Sequence, residues 1–558
     1  MNLRNKYGWL IALTCLHLSF FGQVGFHCIF NDSCTSLYFQ NSKIDTNLYI
    51  VVPANASDYS ISYIHPSDTQ WLHYDTQRFQ FRDCAGLRIR FWGDCVDKSI
   101  QINIHHDFSN DKKIVSPAFI PAYQSLFANF NPDTYGIRHR SSMLILCYEE
   151  FTSVLEDFIE RKMQVGIDCY LVEENPSDTS CSIQQIIKSY YEAYRPDFLL
   201  LVGDDLHIPS YRSEEALSDW QYAYIEGDDA YPEMIVGRIS ANIAEEAEVQ
   251  LNKSIHRNKS IFSKKAIGIA SDDYSCFSGM YDWEYLRGIQ TLLLNKNFLT
   301  VYELYDGSQG GEDADGNPDA TLLLEKINEG VSLINYLGYG SYDEWESGNF
   351  TNARTDSLTN TQSFPIVVSS ACLNGHFADR ECLAEAWMKA SYNGQPCGAA
   401  ACLMFSSLIN WDAAIYAQQA FNAALPAVDD NAMLGTIYLQ TYINMLMHLN
   451  RSKDASQWIL FGDPSLWIYP DITESISDFS FNNTLVYPNP ASDFLHIDNG
   501  TRNINEISIY ETSGNEIKRI FPLKNQYTLY IDYLPKGIYF LKIISSDNTY
   551  CVKKIVKN

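Results

Sequence analysis

The chain has 558 residues, too many for one ordinary domain, so roughly three or four domains is the starting expectation. Apolar residues make up 46% and aromatic residues 14%, which excludes a disordered chain and suits a β-heavy extracellular one. Forty Lys and Arg against 68 Asp and Glu leave a net charge of −28, which excludes the basic footprint of a nucleic-acid-binding protein and favours cationic ligands or calcium.

The first segment reads as a secretory signal over residues 1–22. Arg4 and Lys6 form its charged start, and Trp9 to Phe21 form an apolar run too short for a membrane span. From about Phe26 to Phe130 the pattern is strand-like. Leu48–Val52 and Leu87–Phe91 alternate apolar and polar residues between turn signals, so residues 23–140 are expected to form a β-rich N-terminal domain. Asn131-Pro132-Asp133 marks a break, and Gly136-Ile-Arg-His-Arg140 reads as an exposed basic connection.

After Arg140 short apolar strands alternate with helical spacing. Met143–Cys147 is followed by a helix over Phe151–Met163, the strand Asp168–Val172, a helix over Cys181–Tyr194 and the strand Phe198–Val202. A second series runs through Ala266–Ala270, Val331–Asn335, Ile366–Ser369 and Ala399–Leu403. Such alternation predicts crossover units on parallel sheets, here two adjacent α/β units over 141–475. The final segment, 476–558, returns to short strands at Leu495–Ile497, Ile507–Tyr510, Tyr530–Asp532 and Gly537–Ile543, as in a small β-sandwich.

Fourteen cysteines are present, and with Cys15 in the leader an odd number remains. Cys28 with Cys34 and Cys84 with Cys95 are close enough in sequence to pair in an oxidising compartment. No Cys-x-x-Cys or His-rich pattern marks a structural zinc site. Cys372 follows the apolar run Phe364–Ala371 and precedes a turn-like Leu373-Asn-Gly375. It reads either as a nucleophilic thiol at a strand end or as a buried cysteine. The preceding apolar run ends in Tyr336-Leu-Gly-Tyr-Gly-Ser341, where Gly338 and Gly340 bracket Tyr339 in a tight turn. A cysteine hydrolase needs a base beside its thiol, and a tyrosine, with a pKa of about 10, is a poor one at neutral pH.

Several blocks in order resemble the gingipains, caspase-like cysteine endopeptidases of bacteria that cleave after arginine or lysine. They are Leu200–Asp204 with Ile208-Pro209, Gly227-Asp-Asp229, Val236–Ser240, Gly268–Ser271, Gly330–Ser341, Ala371–Gly375 and Phe461–Leu466, spanning about Ser142 to Pro470. The resemblance implies Cys372 as nucleophile and places Tyr339 where the family has histidine. It also implies an orienting acid at Asp273 or its neighbour Asp272, an arginine-pocket carboxylate at Asp282, an aromatic pocket wall at Trp411, and an oxyanion hole from the N–H groups of Gly340 and Cys372. His376, four residues beyond Cys372, offers a substitute base if the intervening residues turn helical. Family likeness further implies structural calcium, for which Asp204, Asp205, Asp228 and Asp229 supply hard oxygen ligands, and a propeptide role for the N-terminal domain with a cut near Arg138 or Arg140.

The last segment resembles the sorting domain of the type IX secretion system of Bacteroidota. The matching words are Tyr487–Ser492, Ile507–Tyr510 with Gly514, Leu534–Tyr539 and the basic Lys553–Lys557. This implies a secreted or surface protein whose export partner is that machinery. Two functions remain open at this stage: a peptidase acting on protein or peptide substrates through Cys372, and a catalytically impaired pseudopeptidase that binds peptides or serves at the surface.

Overall fold

The computed structural model describes residues 26–31, 34–39, 42–52, 60–64, 72–95, 100–105, 113–138, 140–174, 180–213, 216–257, 263–275, 279–296, 298–425, 432–449, 451–469, 484–499, 503–511, 515–546 and 550–558, with the backbone alone at 26–46, 60–64, 72, 94–95, 100–105, 174, 485 and 550–552. The signal segment 1–22 and the side chains of Cys28, Cys34 and Cys95 lie outside these. Among the described residues no helix is long and apolar enough to cross a membrane. Two compact units emerge, one of residues 1–138 with 226–233, the other of 139–225 with 234–558.

The first unit holds two antiparallel sheets. One orders its strands Phe26–Asn31, Cys34–Phe39, Ile100–His105, Ser60–Ile64; the other pairs Ser42–Val51 and Leu72–Phe81 on either side of Cys84–Cys95. Phe81, Leu87, Ile89 and Phe91 are fully buried, as their alternation demands. Segment 226–233 is part of this core: the Tyr231 ring stacks 4.7 Å from Phe79, and the buried Arg82 guanidinium donates to the Glu233 carbonyl. The pairing expected between Cys84 and Cys95 fails on geometry. They stand at opposite ends of one 12-residue strand, far beyond the reach of a disulfide, and Cys84 is a free, buried thiol. The connection 136–140 is also less open than its composition implies. Gly136–Ile137 pairs with Ile114–Val115 within this unit, and Arg140, in the other, forms an ion pair of 2.6 Å with Asp168.

The second unit is organised by one ten-stranded sheet. Its strands are β1 (Ser141–Tyr148), β2 (Ile167–Glu174), β3 (Phe198–Val202), β4 (Ile235–Ile239), β5 (Lys265–Ala270), β6 (Thr300–Tyr305), β7 (Leu333–Leu337), β8 (Ile366–Ser370), β9 (Ala401–Phe405) and β10 (Trp458–Gly462). Across the sheet they run β2-β1-β3-β4-β10-β9-β8-β7-β5-β6. Every pair is parallel except β9 with β10, the seam through which the two α/β halves become one sheet. β3, β7, β8 and β9 are buried at every residue, which is why they read as continuous apolar runs rather than alternations.

Several of the recognised sequence blocks are clamps on this sheet. Gly237 in β4 faces the Gly462 carbonyl so closely that a Cβ would fall 2.4 Å from it. Its neighbour Arg238 is buried, holds Asp219 through two bonds of 2.7 Å, and donates to the Gly203 carbonyl at 2.8 Å. Asp463, after β10, forms a buried ion pair with Lys162.

Separately, the C-terminal strands form a three-stranded sheet (Leu485–Tyr487, Phe494–Asp498, Gln526–Tyr530) and a four-stranded one (Glu516–Ile520, Ile504–Glu511, Gly537–Ser545, Tyr550–Lys557). Leu495, Ile497, Ile507, Ile509, Leu529, Leu541 and Ile543 fill the core between them. This is the expected small sandwich.

Candidate functional site

The connection from β5 to β6 runs outward, and the chain then returns across β5 to form β7 on its other side. The carboxyl ends of β5 and β7 therefore lie at a topological switch point, where an open α/β sheet leaves a crevice. β8 lies beside β7 in parallel, with Leu337 opposite Ser370. Tyr339 and Cys372 each follow these partners by two residues, so the register carries them to neighbouring positions about 4.8 Å of sheet apart. Cys372 lies close enough to be among the groups that bear on the Tyr339 phenol.

Gly340 pairs with Trp345 in an isolated bridge whose hydrogen bonds are made by its neighbours, Ser341 N–H to the Glu344 carbonyl (3.1 Å) and Glu346 N–H to the Tyr339 carbonyl (3.1 Å). The N–H of Gly340 is thus turned away from this pairing. A Cβ at position 340 would sit 2.9 Å from the Ala371 Cβ, so only glycine lets this turn lie against the Cys372 turn. The two turns are locked by Asn374, a residue to which sequence reasoning gave no role although it lies inside the block Ala371–Gly375. Its amide donates to the Ser341 and Glu344 carbonyls and accepts from Trp345 Nε1 and Ser369 Oγ.

Cys372 is half-buried. Its sulfur accepts the Ile409 N–H at 3.5 Å, and its S–H faces the Ile409 carbonyl at 3.9 Å. No sequence signal marks Ile409 for this contact. Tyr339 is 50% exposed, and its phenol is pushed above its ordinary pKa, chiefly by the Asp273 carboxylate, then by partial burial, Asp282, Glu346 and Cys372. Of the two neighbouring acids, Asp273 is the one that acts on Tyr339; the Asp272 charge bears on Asp306. His376 is not carried to the thiol by the expected helical turn. Leu373 adopts a left-handed φ of 64° and the next helix begins only at Leu383, so the helical turn that would align His376 with the thiol never forms. The imidazole is buried, with Nδ1 at 2.8 Å from the Ser406 carbonyl, an acceptor that fixes the proton on Nδ1.

Asp282 and Trp411 are the first residues of two helices, α1 (Asp282–Asn295) and α2 (Trp411–Ala424). The structure brings them together. Asp282 is fully buried, its Oδ1 accepting from Trp411 Nε1 at 3.1 Å and its Oδ2 from Ser271 Oγ at 2.6 Å. Ser271 lies in a recognised block, but its contact could not be read from spacing. Burial raises the Asp282 carboxyl to a pKa of about 7; the Ser271 and Trp411 bonds oppose this and Asp273 adds to it. A folded pKa above the unfolded one means the native state holds a proton that the unfolded chain has released. Stability should therefore fall from about pH 4 to pH 7 and level off above. Asp282→Asn keeps both bonds and removes the titration. It is expected to raise Tm at pH 8 by on the order of 2–4 °C, with the gain vanishing near pH 4. Thermal melts at the two pH values check this, and an equal gain at both would refute the assignment.

Three of the four acids expected to hold calcium accept hydrogen bonds from the protein itself. Asp204 accepts from the backbone of Leu206 and His207, Asp205 from Ser210 N–H and the Arg212 guanidinium, and Asp229 from Tyr231 N–H. Among the described residues no group of three or more His, Cys, Asp or Glu is arranged to hold a metal ion.

A profile of peptidase family C25 matches residues 138–469, and a profile of the secretion-system C-terminal sorting domain matches 485–558. Gingipain R1 of Porphyromonas gingivalis is 28% identical over 379 residues, covering 64% of this chain and 37% of that protein. Gingipain R2 of P. gingivalis is 28% identical over 371 residues, covering 63% and 49%. The chain thus spans between about a third and a half of these relatives' length. Among solved structures, the complex of P. gingivalis RgpB pro- and mature domains aligns with a TM-score of 0.57 at 23% identity, over 75% of this chain and all of that one. The Arg-specific cysteine proteinase gingipain R gives 0.57 at 22% identity, over 75% and 99%. These likenesses show a shared fold.

Proposed function

The chain belongs to peptidase family C25 and carries a sorting domain that marks it for secretion or the cell surface, and from that premise we propose that it binds peptides at the Cys372 crevice without turning them over. The observation that carries this reading is Tyr339. It occupies the position where the family resemblance implies histidine, and its phenol, which keeps its proton at neutral pH, is pushed further up chiefly by the Asp273 carboxylate. A protonated phenol cannot take the thiol proton, and a phenol is too weak an acid to serve the leaving amine as imidazolium does. His376 lacks the helical turn that would align it with the thiol. What remains supports binding: the Gly340 turn, the half-buried thiol, and a buried carboxylate under an indole that suits a cationic side chain.

The test uses the secreted chain on arginyl peptide amides and esters, with labelling of Cys372 by a peptidyl-arginine electrophile read by mass spectrometry. Turnover is expected to match that of Cys372→Ala, with labelling slow. Rapid labelling with turnover that His376→Ala abolishes would instead establish a peptidase with a replacement base.

A further inference from the structure

The sorting domain differs in charge from the rest of the chain. Residues 485–558 carry nine Lys and Arg against seven Asp and Glu, in a chain whose net charge is −28. Its four-stranded sheet points Ile507, Ile509, Leu541, Ile543 and Ile555 into the sandwich core. The alternating residues Ser508, Tyr510, Phe540, Lys542 and Lys554 therefore lie on the opposite, outer face. That face is not open to water: Phe540 is 4% exposed, and Tyr510, Lys542 and Lys554 are half-buried. The edge of the peptidase sheet meets it. Lys554 forms an ion pair with Glu156, the first residue of the helix Glu156–Gln164 that precedes β2. The Tyr194 hydroxyl, at the end of the helix Ser180–Tyr194 that follows β2, donates to Asn515 Oδ1 at 3.3 Å. Between them, the Asp168 charge in β2 bears on Tyr510 and Lys542. β2 is an outermost strand, reached by one crossover and left by another in the reverse direction, so its two helices lie on opposite faces of the sheet. The sorting domain thus straddles the sheet edge, the part of a sheet that proteins keep covered.

Arg140, the residue before β1, belongs to this contact. Its guanidinium forks onto Asp168, with Nε and Nη2 at 2.9 and 2.6 Å from Oδ1. Burial lowers the pKa of the Lys542 ammonium, the nearby Arg140 cation adds to this, and Asp168 opposes it. A peptidase that cuts after arginine must take the arginine side chain into a pocket and the flanking backbone into a cleft. At Arg140 it would have to pull the guanidinium off Asp168 and draw Ser141 out of its pairing with Ile167 in β2. We propose that the sorting domain, held on the β2 edge of its own peptidase domain by complementary charge, shields the Arg140–Ser141 bond, so that an arginine-specific peptidase cuts there only once the sorting domain has lifted away. The cut is a hydrolysis: water adds across the amide and leaves the Arg140 carboxylate and the Ser141 amine. The contact therefore orders two events, departure of the C-terminal domain first and separation of the N-terminal domain second. It does not depend on whether the Cys372 crevice turns peptides over.

The test is limited digestion by trypsin of the full chain with its sorting domain attached, at neutral pH and low salt, with mass spectrometry following the new N-terminus at Ser141. When lifting and redocking are fast, the rate of this cut follows the population of the lifted state. Lys554→Glu and Glu156→Lys each turn an attraction into a repulsion, and each is expected to speed the cut by about three- to tenfold. The double variant Lys554→Glu with Glu156→Lys re-forms the pair in reverse and is expected to return the rate to near that of wild type, a rescue that a merely weakened fold would not show. Raised salt is expected to narrow these differences. Phe540→Ala removes a ring from the outer face and nothing from the sandwich core, and is expected to speed the cut with no change of charge. Single variants and Phe540→Ala that are cut at the wild-type rate would overturn the shield. So would a double variant cut as fast as the single ones, because the charge pair would then not be what holds the two domains together.

Discussion

Tyr339→His is expected to restore cleavage after arginine by on the order of 10² to 10⁴-fold over wild type, the usual reach of a positioned acid–base group. Position 339 lies beside Cys372 through the β7–β8 register, and Asp273, whose charge bears most on the phenol, is the acid expected to orient an imidazole and stabilise its charged form. The exchange is sterically mild. Imidazole is smaller than phenol, and Tyr339 is half exposed, so nothing in the core must repack. The measurement is hydrolysis of an arginyl peptide amide by wild type, Tyr339→His, and Tyr339→His combined with Cys372→Ala. A gain that survives the loss of Cys372 would come from a contaminant or from another site. A folded Tyr339→His protein with no gain would show that the crevice has diverged beyond its base.

How much of this was legible in sequence depended on whether the signal was local. The buried strands β1, β3, β5 and β8 were readable because both faces of a parallel sheet are covered, leaving uninterrupted apolar runs. β7 begins two residues later than the apolar run predicts, since Val331-Ser332 continues that run into it. β4 and β10 appeared only as motifs; Gly237, Arg238 and Gly462 break their hydrophobic pattern for the sake of close approach and a buried clamp. β6 was not recognised, its Thr300–Tyr305 mixing charged and aromatic residues at the sheet edge.

The site divided along the same line. Adjacency of Tyr339 and Cys372 follows from topology once the strands are known. The meeting of Asp282 with Trp411, 129 residues away, depends on two helix starts converging, which no spacing encodes. A role for His376 as base requires a helical continuation after Cys372. The left-handed Leu373 and the following turn decide otherwise. In each failure a long-range packing requirement, absent from local pattern, set the outcome.

Asn374 is where this long-range requirement is most concentrated, and Asn374→Ala is expected to lower unfolding stability by about 3 kcal/mol. The amide can make four hydrogen bonds, two as donor and two as acceptor, and it makes all four: to the carbonyls of Ser341 and Glu344 at 2.5 and 3.0 Å, and from Trp345 Nε1 and Ser369 Oγ at 2.9 and 2.8 Å. It is fully buried, so no water is at hand to replace them. Trp345 and Ser369 retain a bond to each other at 2.9 Å, which spares part of the loss and sets the estimate nearer 3 than 6 kcal/mol. Asn374→Asp should cost more than alanine, because a carboxylate would face two carbonyl oxygens with no proton to offer. Urea unfolding of the two variants checks the order; an aspartate as stable as wild type would contradict the hydrogen-bond assignment. The same residue fixes the Gly340 turn against the Cys372 turn, and so the two N–H groups that a tetrahedral oxyanion would need. In the Tyr339→His background Asn374→Ala is therefore expected to cost a further 10² or so in kcat with little change in KM, well below the variant's Tm. If the double variant, folded at the assay temperature, keeps the full activity of Tyr339→His, then Asn374 supports the fold alone and the alignment of the two turns is held by the Gly340–Ala371 contact instead.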